Sequence, residues 1–433
     1  MSRVRRIGLY RSVVAGPEPV TRLSRRLGVG DAVMVGLGSM LGAGIFAALA
    51  PAAAAAGSGL LLALGVAVVL AFCNATSSAQ LAAVHPSSGG TYVYGRERLG
   101  RRWGVLAGWA FTSGKVASAA AIALTFGSYA APSAARPLAV AVVVAVTVVN
   151  LAGVTKTALV TRVLVALVLV VLAAVVAACL FGGAASADRV DAGQIGEGGV
   201  LGVLQAAGLL FFAFAGYARI ATLGEEVIDP ARTIPLAIPL ALGTTFVVYL
   251  VVAVAALATV GASGLASSEA PLATAVRAGD LAWSAPLVRV GASVASLGVL
   301  VALVAGIGRT TFAMAADGEL PGWLARVHPR TRVPHVADAV VGLLVALVAA
   351  VADVRSAIGF SSCLVLLYYG IANACALRLA PEERRWPRWL AHLGVGGCTL
   401  VGLSLPGSSV LAAGAVVAVG AAAWLPTAGR RTG

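Results

Sequence analysis

Apolar residues run through this chain in long stretches parted by short polar or charged segments. An α-helix rises 1.5 Å per residue, so about 20 apolar residues cross a hydrocarbon core. The pattern predicts twelve such spans, at roughly 31–55, 59–83, 104–130, 137–154, 163–183, 200–224, 234–260, 286–314, 336–352, 356–379, 390–406 and 408–426. Their length and their Ala, Val and Leu content predict helices, not the short alternating strands of an outer-membrane barrel. The longest segments outside, 184–199 and 261–285, are too short for a separate soluble or catalytic domain.

Composition agrees. Sixty per cent of the 433 residues are hydrophobic and 11% are charged, against about 25% charged in a soluble domain. The expected fold is all-α and polytopic. The net charge of +14 would suggest nucleic acid in a soluble protein, but no basic segment is interleaved with aromatics, which argues against that partner. With the N-terminus inside, 23 of the 31 Lys and Arg residues fall on the cytoplasmic side and five on the other, while Lys115, Arg219 and Arg309 lie within spans. This asymmetry predicts both termini in the cytoplasm, a plasma-membrane location and contact with the anionic inner leaflet. Residues 1–28 hold seven arginines and no apolar core of signal length, so they read as a basic cytoplasmic tail. The five cysteines form no CxxC pair, and the four histidines have no ligand partner at helical spacing. Neither a disulfide framework nor a metal site is expected.

Two spans are interrupted. Span 1 carries Gly36-Leu37-Gly38-Ser39-Met40-Leu41-Gly42-Ala43-Gly44, and each glycine weakens a helix by about 1 kcal/mol relative to alanine. One reading is a broken helix whose freed N–H groups bind a carboxylate. The other is a small-residue packing face, Gly38-x-x-x-Gly42. Span 6 carries Phe211-Phe212-Ala213-Phe214-Ala215-Gly216-Tyr217, then Arg219 and Glu225-Glu226. Breaks five spans apart point to inverted five-helix repeats, with a zwitterion held between the paired helix ends.

These residues resemble the amino acid–polyamine–organocation (APC) superfamily, nearest its bacterial cationic-amino-acid-transporter-like branch. Gly38 to Phe46 is similar to the first-helix signature. Phe211 to Tyr217, with Glu225-Glu226 and Asp229-Pro230-Ala231-Arg232-Thr233-Ile234-Pro235, is similar to the sixth helix and its following loop. Pro86-Ser87-Ser88-Gly89-Gly90-Thr91-Tyr92 and Arg309 to Pro321 resemble the loops after helices 2 and 8. The resemblance implies a leucine-transporter-like fold, with repeats at 29–185 and 200–380 and helices 11 and 12 at 388–427. It implies amino acid transport by alternating access. Within the candidate segment Ser39, Met40, Leu41, Gly42, Ala43 and Gly44, it places Met40, Ala43 and Gly44 at the substrate carboxylate. Among Phe211, Phe212, Phe214, Ala215 and Gly216, it makes Phe212 an aromatic wall or gate, Ala215 the source of a carbonyl that accepts from the ammonium, and Gly216 the break.

Proton-coupled relatives carry a helix-5 lysine where this chain has Val168. Lys115 in span 3 is the candidate replacement, as proton carrier or fixed cation; the alternative is a lysine that snorkels or caps beside a water-filled crevice. Arg219, Glu225 and Glu226 are gating candidates, with a structural ion-pair network as their alternative. No cofactor or obligatory protein partner is expected, and the coupling ion is proton or sodium. The expected function is transport rather than catalysis: amino acid permeation first, then a small organic cation or polyamine in the same fold. A channel or non-transporting sensor ranks lower, because these spans lack charged rings or a continuous polar lining.

Overall fold

The computed structural model describes residues 27–85, 89–153, 158–190, 198–221, 223 and 226–428. Among these the regular structure is helical, with one isolated parallel bridge between Leu27 and Val227. The region of span 1 is two helices, α1 (Val29–Met40) and α2 (Ala43–Ala56). A single 3-10 turn, entered through Gly57 at a φ of 56°, leads into α3 (Leu60–Val84). Then come α4 (Thr91–Arg98), α5 (Arg101–Ala130), α6 (Ala135–Leu151) and α7 (Ala158–Phe181). The region of span 6 is α8 (Gly199–Phe214), a 3-10 turn over Ala215–Tyr217, and α9 (Ala218–Ala221). The remainder is α10 (Pro230–Ala266), α11 (Pro271–Arg277), α12 (Ala285–Ala316), α13 (His335–Val351), α14 (Val354–Ala376), α15 (Arg388–Ser404) and α16 (Gly407–Ala428).

Eight helical stretches among the described residues are long and apolar enough to cross a membrane, or nine if α15 and α16, bent by 115°, form one span. The sequence pattern gives twelve. The numbers differ because α1 is only 12 residues, about 18 Å, α13 is 17 residues, and α2 with α3 runs as one stretch, Ala43–Val84. The short helices α4 and α11 lie in segments that the apolar pattern leaves as connections. Local chemistry defines their ends: Pro271 opens α11 at its first turn, where the missing N–H costs nothing.

The surface is apolar and the interior partly polar. Phe181, Val290, Leu403 and Leu411 are exposed, whereas Asn74, Thr76, Ser77, Ser78 and Gln80 on α3 are buried. Large apolar side chains are exposed on α6, α7, α10, α12, α13, α15 and α16 alike, more widely than a soluble surface needs. In lipid the arrangement is natural: apolar faces meet acyl chains, and polar side chains pair between helices. Asn373 Nδ2 on α14 donates to Asn74 Oδ1 on α3 at 2.6 Å. The chain is a multi-pass membrane protein.

Three arginines around the α4–α5 junction tie this region to distant segments. Arg96 pairs with Asp317 just after α12, and Tyr92 donates to the same carboxylate at 2.6 Å. Arg98 holds Glu383 after α14 through two hydrogen bonds of 3.0 and 2.7 Å. Arg101 holds Glu319 likewise, at 2.8 and 3.0 Å. Arg162 on α7 pairs with Asp31 on α1. The Arg98 guanidinium holds the Glu383 carboxyl below the usual carboxylate range. Burial, and then the same cation, keeps the His85 imidazole below its ordinary pKa, and neutral His85 Nε2 accepts from Arg98 Nε at 3.0 Å.

Candidate functional site

The two helix interruptions meet. Gly216 lies against the end of α1 so closely that a Cβ there would sit 2.4 Å from the Ser39 carbonyl oxygen and 2.8 Å from the Met40 nitrogen. Gly44, at the start of α2, approaches α8 in the same way: its Cβ would fall 2.7 Å from Ala213 Cα. Only hydrogen fits at either position, so these glycines allow close backbone approach. At Gly42 the nearest neighbour is instead a side chain, that of Val299 on α12. The Tyr249 hydroxyl on α10 lies against both broken ends, in hydrogen-bond reach of the Met40 carbonyl and, at 3.2 Å, of the Ala213 carbonyl. Leu27, just ahead of α1, pairs with the strand-like segment after α9. Its N–H donates to the Glu226 carbonyl at 3.1 Å, and its carbonyl accepts from the Ile228 N–H at 2.9 Å.

Beside the crossing is a narrow, tightly packed cleft between α5, α8 and α14. Lys115 and Ser118 line it from α5, Phe211, Phe212 and Ala215 from α8 and its end, and Ser361, Ser362 and Val365 from α14. Ser118 and Ser361 share a hydrogen bond of 2.6 Å between their hydroxyls. The Ser362 hydroxyl oxygen is buried without a hydrogen-bond partner. The Lys115 ammonium stands 6.0 Å from the Phe111 ring centroid, within cation–π range. An aromatic group backs the cleft: Tyr369 packs edge-on to Phe211 at 5.7 Å, at 5.2 Å from Tyr217, and donates to the Ala215 carbonyl at 3.3 Å.

Of the sequence candidates, Lys115, Phe211, Phe212 and Ala215 line the cleft. Ser39, Met40 and Gly216 form the crossing beside it, with Gly44 against α8. Ala43 shares an apolar cluster with Phe212. Leu41 is buried at the end of α1, its N–H bound to the Leu37 carbonyl. Phe214 is not part of the cleft lining and packs on Tyr249 with centroids 5.1 Å apart. The Ala215 carbonyl, expected to meet an ammonium, already accepts from Tyr369. Arg219 lies within electrostatic reach of Glu226 and of Arg309 on α12. Glu225 lies outside the described residues, as do residues 1–26 of the basic tail and Pro86, Ser87 and Ser88.

The sequence reading did not single out Ser118, Ser361, Ser362, Tyr249 or Tyr369. A signal was present for one pair: Ser361-Ser362 places adjacent hydroxyls inside an apolar span, where polar groups need a partner. Tyr249 and Tyr369 become visible only when α10 and α14 are laid against the breaks.

Comparison with known proteins agrees with this architecture. A family model for amino acid permeases matches residues 27–433. An uncharacterized transporter of Mycobacterium tuberculosis is 61% identical over 402 residues, covering 93% of this chain and 91% of the relative. The branched-chain amino acid permease of Bacillus subtilis is 25% identical, covering 77% of this chain and 76% of its own. Cationic amino acid transporter 4 of Homo sapiens is 28% identical, covering 81% of this chain and 59% of its own. With a family match over nearly all of its length and transporters as its relatives, the chain belongs to the amino acid permease family of the APC superfamily.

Proposed function

We propose that this transporter is a secondary active permease that moves amino acids across the cytoplasmic membrane by alternating access. The observation that carries the reading is the crossing of the α1 end with the 3-10 turn after α8, directly beside the Lys115 cleft. Two helix ends brought together at a polar cleft are suited to a zwitterion. In this scheme the N–H groups at the start of α2 meet the carboxylate, and free carbonyl lone pairs at the end of α8 meet the ammonium. Phe212, partly buried at the cleft, is the aromatic gate. Twelve spans, inverted repeats over 29–185 and 200–380, and paired helices at 388–427 complete the proposed topology. Both termini then lie in the cytoplasm, and the basic face meets anionic lipids. The coupling ion is proton or sodium.

A polyamine or organic-cation permease is the second reading in the same fold. The cleft weighs against it, because its lining holds a lysine and no carboxylate. The test is reconstitution into liposomes with a panel of labelled amino acids, imposing proton and sodium gradients separately. Saturable, gradient-driven accumulation is expected; no accumulation of any amino acid would overturn the reading.

A further inference from the structure

The cleft has a chemical bias that amino acid transport alone does not require. Its polar lining consists of the Lys115 ammonium and the hydroxyls of Ser118, Ser361 and Ser362. Every one of these groups can donate a hydrogen bond, and none carries negative charge. Ser118 and Ser361 satisfy each other, which leaves the buried Ser362 hydroxyl as an unpartnered polar group facing the cleft. A hydroxyl buried without a partner carries a desolvation cost that a ligand acceptor removes. The rest of the lining is Phe211 and Phe212 from α8 and Val365, one turn beyond Ser361 on α14; these suit a short aliphatic linker but offer nothing to a cation except a ring face.

We propose that this cleft is a side-chain subsite for a carboxylate, so that the preferred substrates are dicarboxylic amino acids such as aspartate and glutamate. This rests on the amino acid permease reading and sharpens it. The α-carboxylate and α-amino group occupy the helix ends at Ser39–Gly44 and Ala215, and the second carboxylate meets Lys115 and Ser362. A cationic side chain placed here would face like charge in a site that excludes bulk water. A neutral amide of the same shape loses the charge pairing and makes a weaker bond to the Ser362 hydroxyl, since hydrogen bonds to an ionised acceptor are about twice as strong as neutral ones. This preference differs from the cationic and branched-chain substrates for which some relatives are named.

The deciding comparison is between near-isosteres in proteoliposomes of the full chain: aspartate against asparagine, glutamate against glutamine, with alanine and arginine as references. Aspartate is expected to compete for uptake about tenfold or more better than asparagine, and arginine to compete least. In Lys115→Met the aspartate-to-asparagine ratio should fall to about one, while Lys115→Arg keeps it above one. Ser362→Ala provides an independent check if Lys115→Met does not yield folded protein, and should lower the same ratio. Asparagine, alanine or arginine competing as well as aspartate in the wild-type protein would overturn the proposal. So would an unchanged ratio in Lys115→Met, or, where that variant does not fold, in Ser362→Ala. Uptake of neutral or basic amino acids without acidic ones overturns the subsite alone; absence of all amino acid uptake overturns the permease reading beneath it.

Discussion

The α-hydrogen of Gly216 faces the carbonyl of Ser39, and no larger substituent fits, because a Cβ would lie 2.4 Å from that oxygen. This close approach brings the end of α1 directly against the 3-10 turn that follows α8. Both sides are backbone, so neither can rotate away as a side chain would. Gly216→Ala must therefore push the two interruptions apart. Overpacking of this kind costs about 1–3 kcal/mol. The expected outcome is protein that still inserts and elutes as a single species, with a lower thermal midpoint and amino acid uptake reduced at least about tenfold. Uptake in proteoliposomes together with a thermal melt checks it, and wild-type uptake would show that the crossing is not part of the transport path.

Tyr249 makes the same junction from outside. Its hydroxyl lies against the carbonyls of Met40 and Ala213, one at each interruption. It has one proton to donate and two acceptors within reach, so it can exchange between them. Tyr249→Phe keeps the ring packing on Phe214, 5.1 Å away between centroids, and removes only the hydroxyl. A hydrogen bond within a membrane protein contributes about 0.6 kcal/mol on average. A small drop in thermal midpoint is expected, with a larger effect on uptake rate than on substrate affinity. Parallel measurement of maximal rate and half-saturation distinguishes this from simple loosening, which would change both.

The interruptions were legible because their cause is local. Glycines at 36, 38, 42 and 44 weaken one helix wherever the chain later goes, and Ala215-Gly216-Tyr217 ends another by the same logic. Lys115 was legible because an ammonium in an apolar run is conspicuous. Ser118, Ser361 and Ser362 acquire meaning only from the packing of α5 against α14, which joins positions 243 residues apart. The span count was less legible. Apolarity does not record where α2 and α3 run together, or that α15 and α16 are bent by 115°. The partners of Arg96, Arg98 and Arg101 were hidden for a similar reason: charge counting puts these arginines on one membrane face without naming the acids that meet them.

One of those pairs sets a pH dependence. Arg98 grips Glu383 through two hydrogen bonds, and its guanidinium holds the Glu383 carboxyl below the usual carboxylate range. A group whose folded pKa is depressed stabilises the fold above its unfolded pKa and loses that contribution as pH falls through the folded value. The pair is therefore fully formed at neutral pH and fails only in acid. For a partly exposed pair the contribution is about 1 kcal/mol or less. Glu383→Gln should be slightly less stable than wild type at pH 7, with the gap closing as both are titrated into acid. Thermal midpoints of the two detergent-purified proteins across that range give the answer, and a gap that widened in acid would contradict the pairing.

Deep between α3 and α14, Asn373 donates to Asn74 at 2.6 Å, and the Cys398 thiol on α15 donates to the same Asn74 oxygen at 3.2 Å. Both asparagines are fully buried. Gly394 on α15 closes the site, since a Cβ there would fall 2.4 Å from Asn373 Oδ1. Three helices are thus fastened at one polar point, in a setting where a lone amide has no water to turn to. Asn373→Ala leaves the Asn74 oxygen with the thiol alone, and Asn74→Ala leaves the Asn373 amide with its 2.9 Å bond to the Tyr369 carbonyl and a 4.0 Å contact to the Cys398 sulfur. Each single variant should lose about 0.6–1.7 kcal/mol, the range found for hydrogen bonds between membrane helices. Removing both partners removes the stranded group as well, so the double variant should lose less than the sum of the two. A double-mutant cycle on unfolding free energy in micelles measures that coupling. Strict additivity would mean that α3 and α14 are held by their apolar packing and that the amide pair contributes nothing of its own.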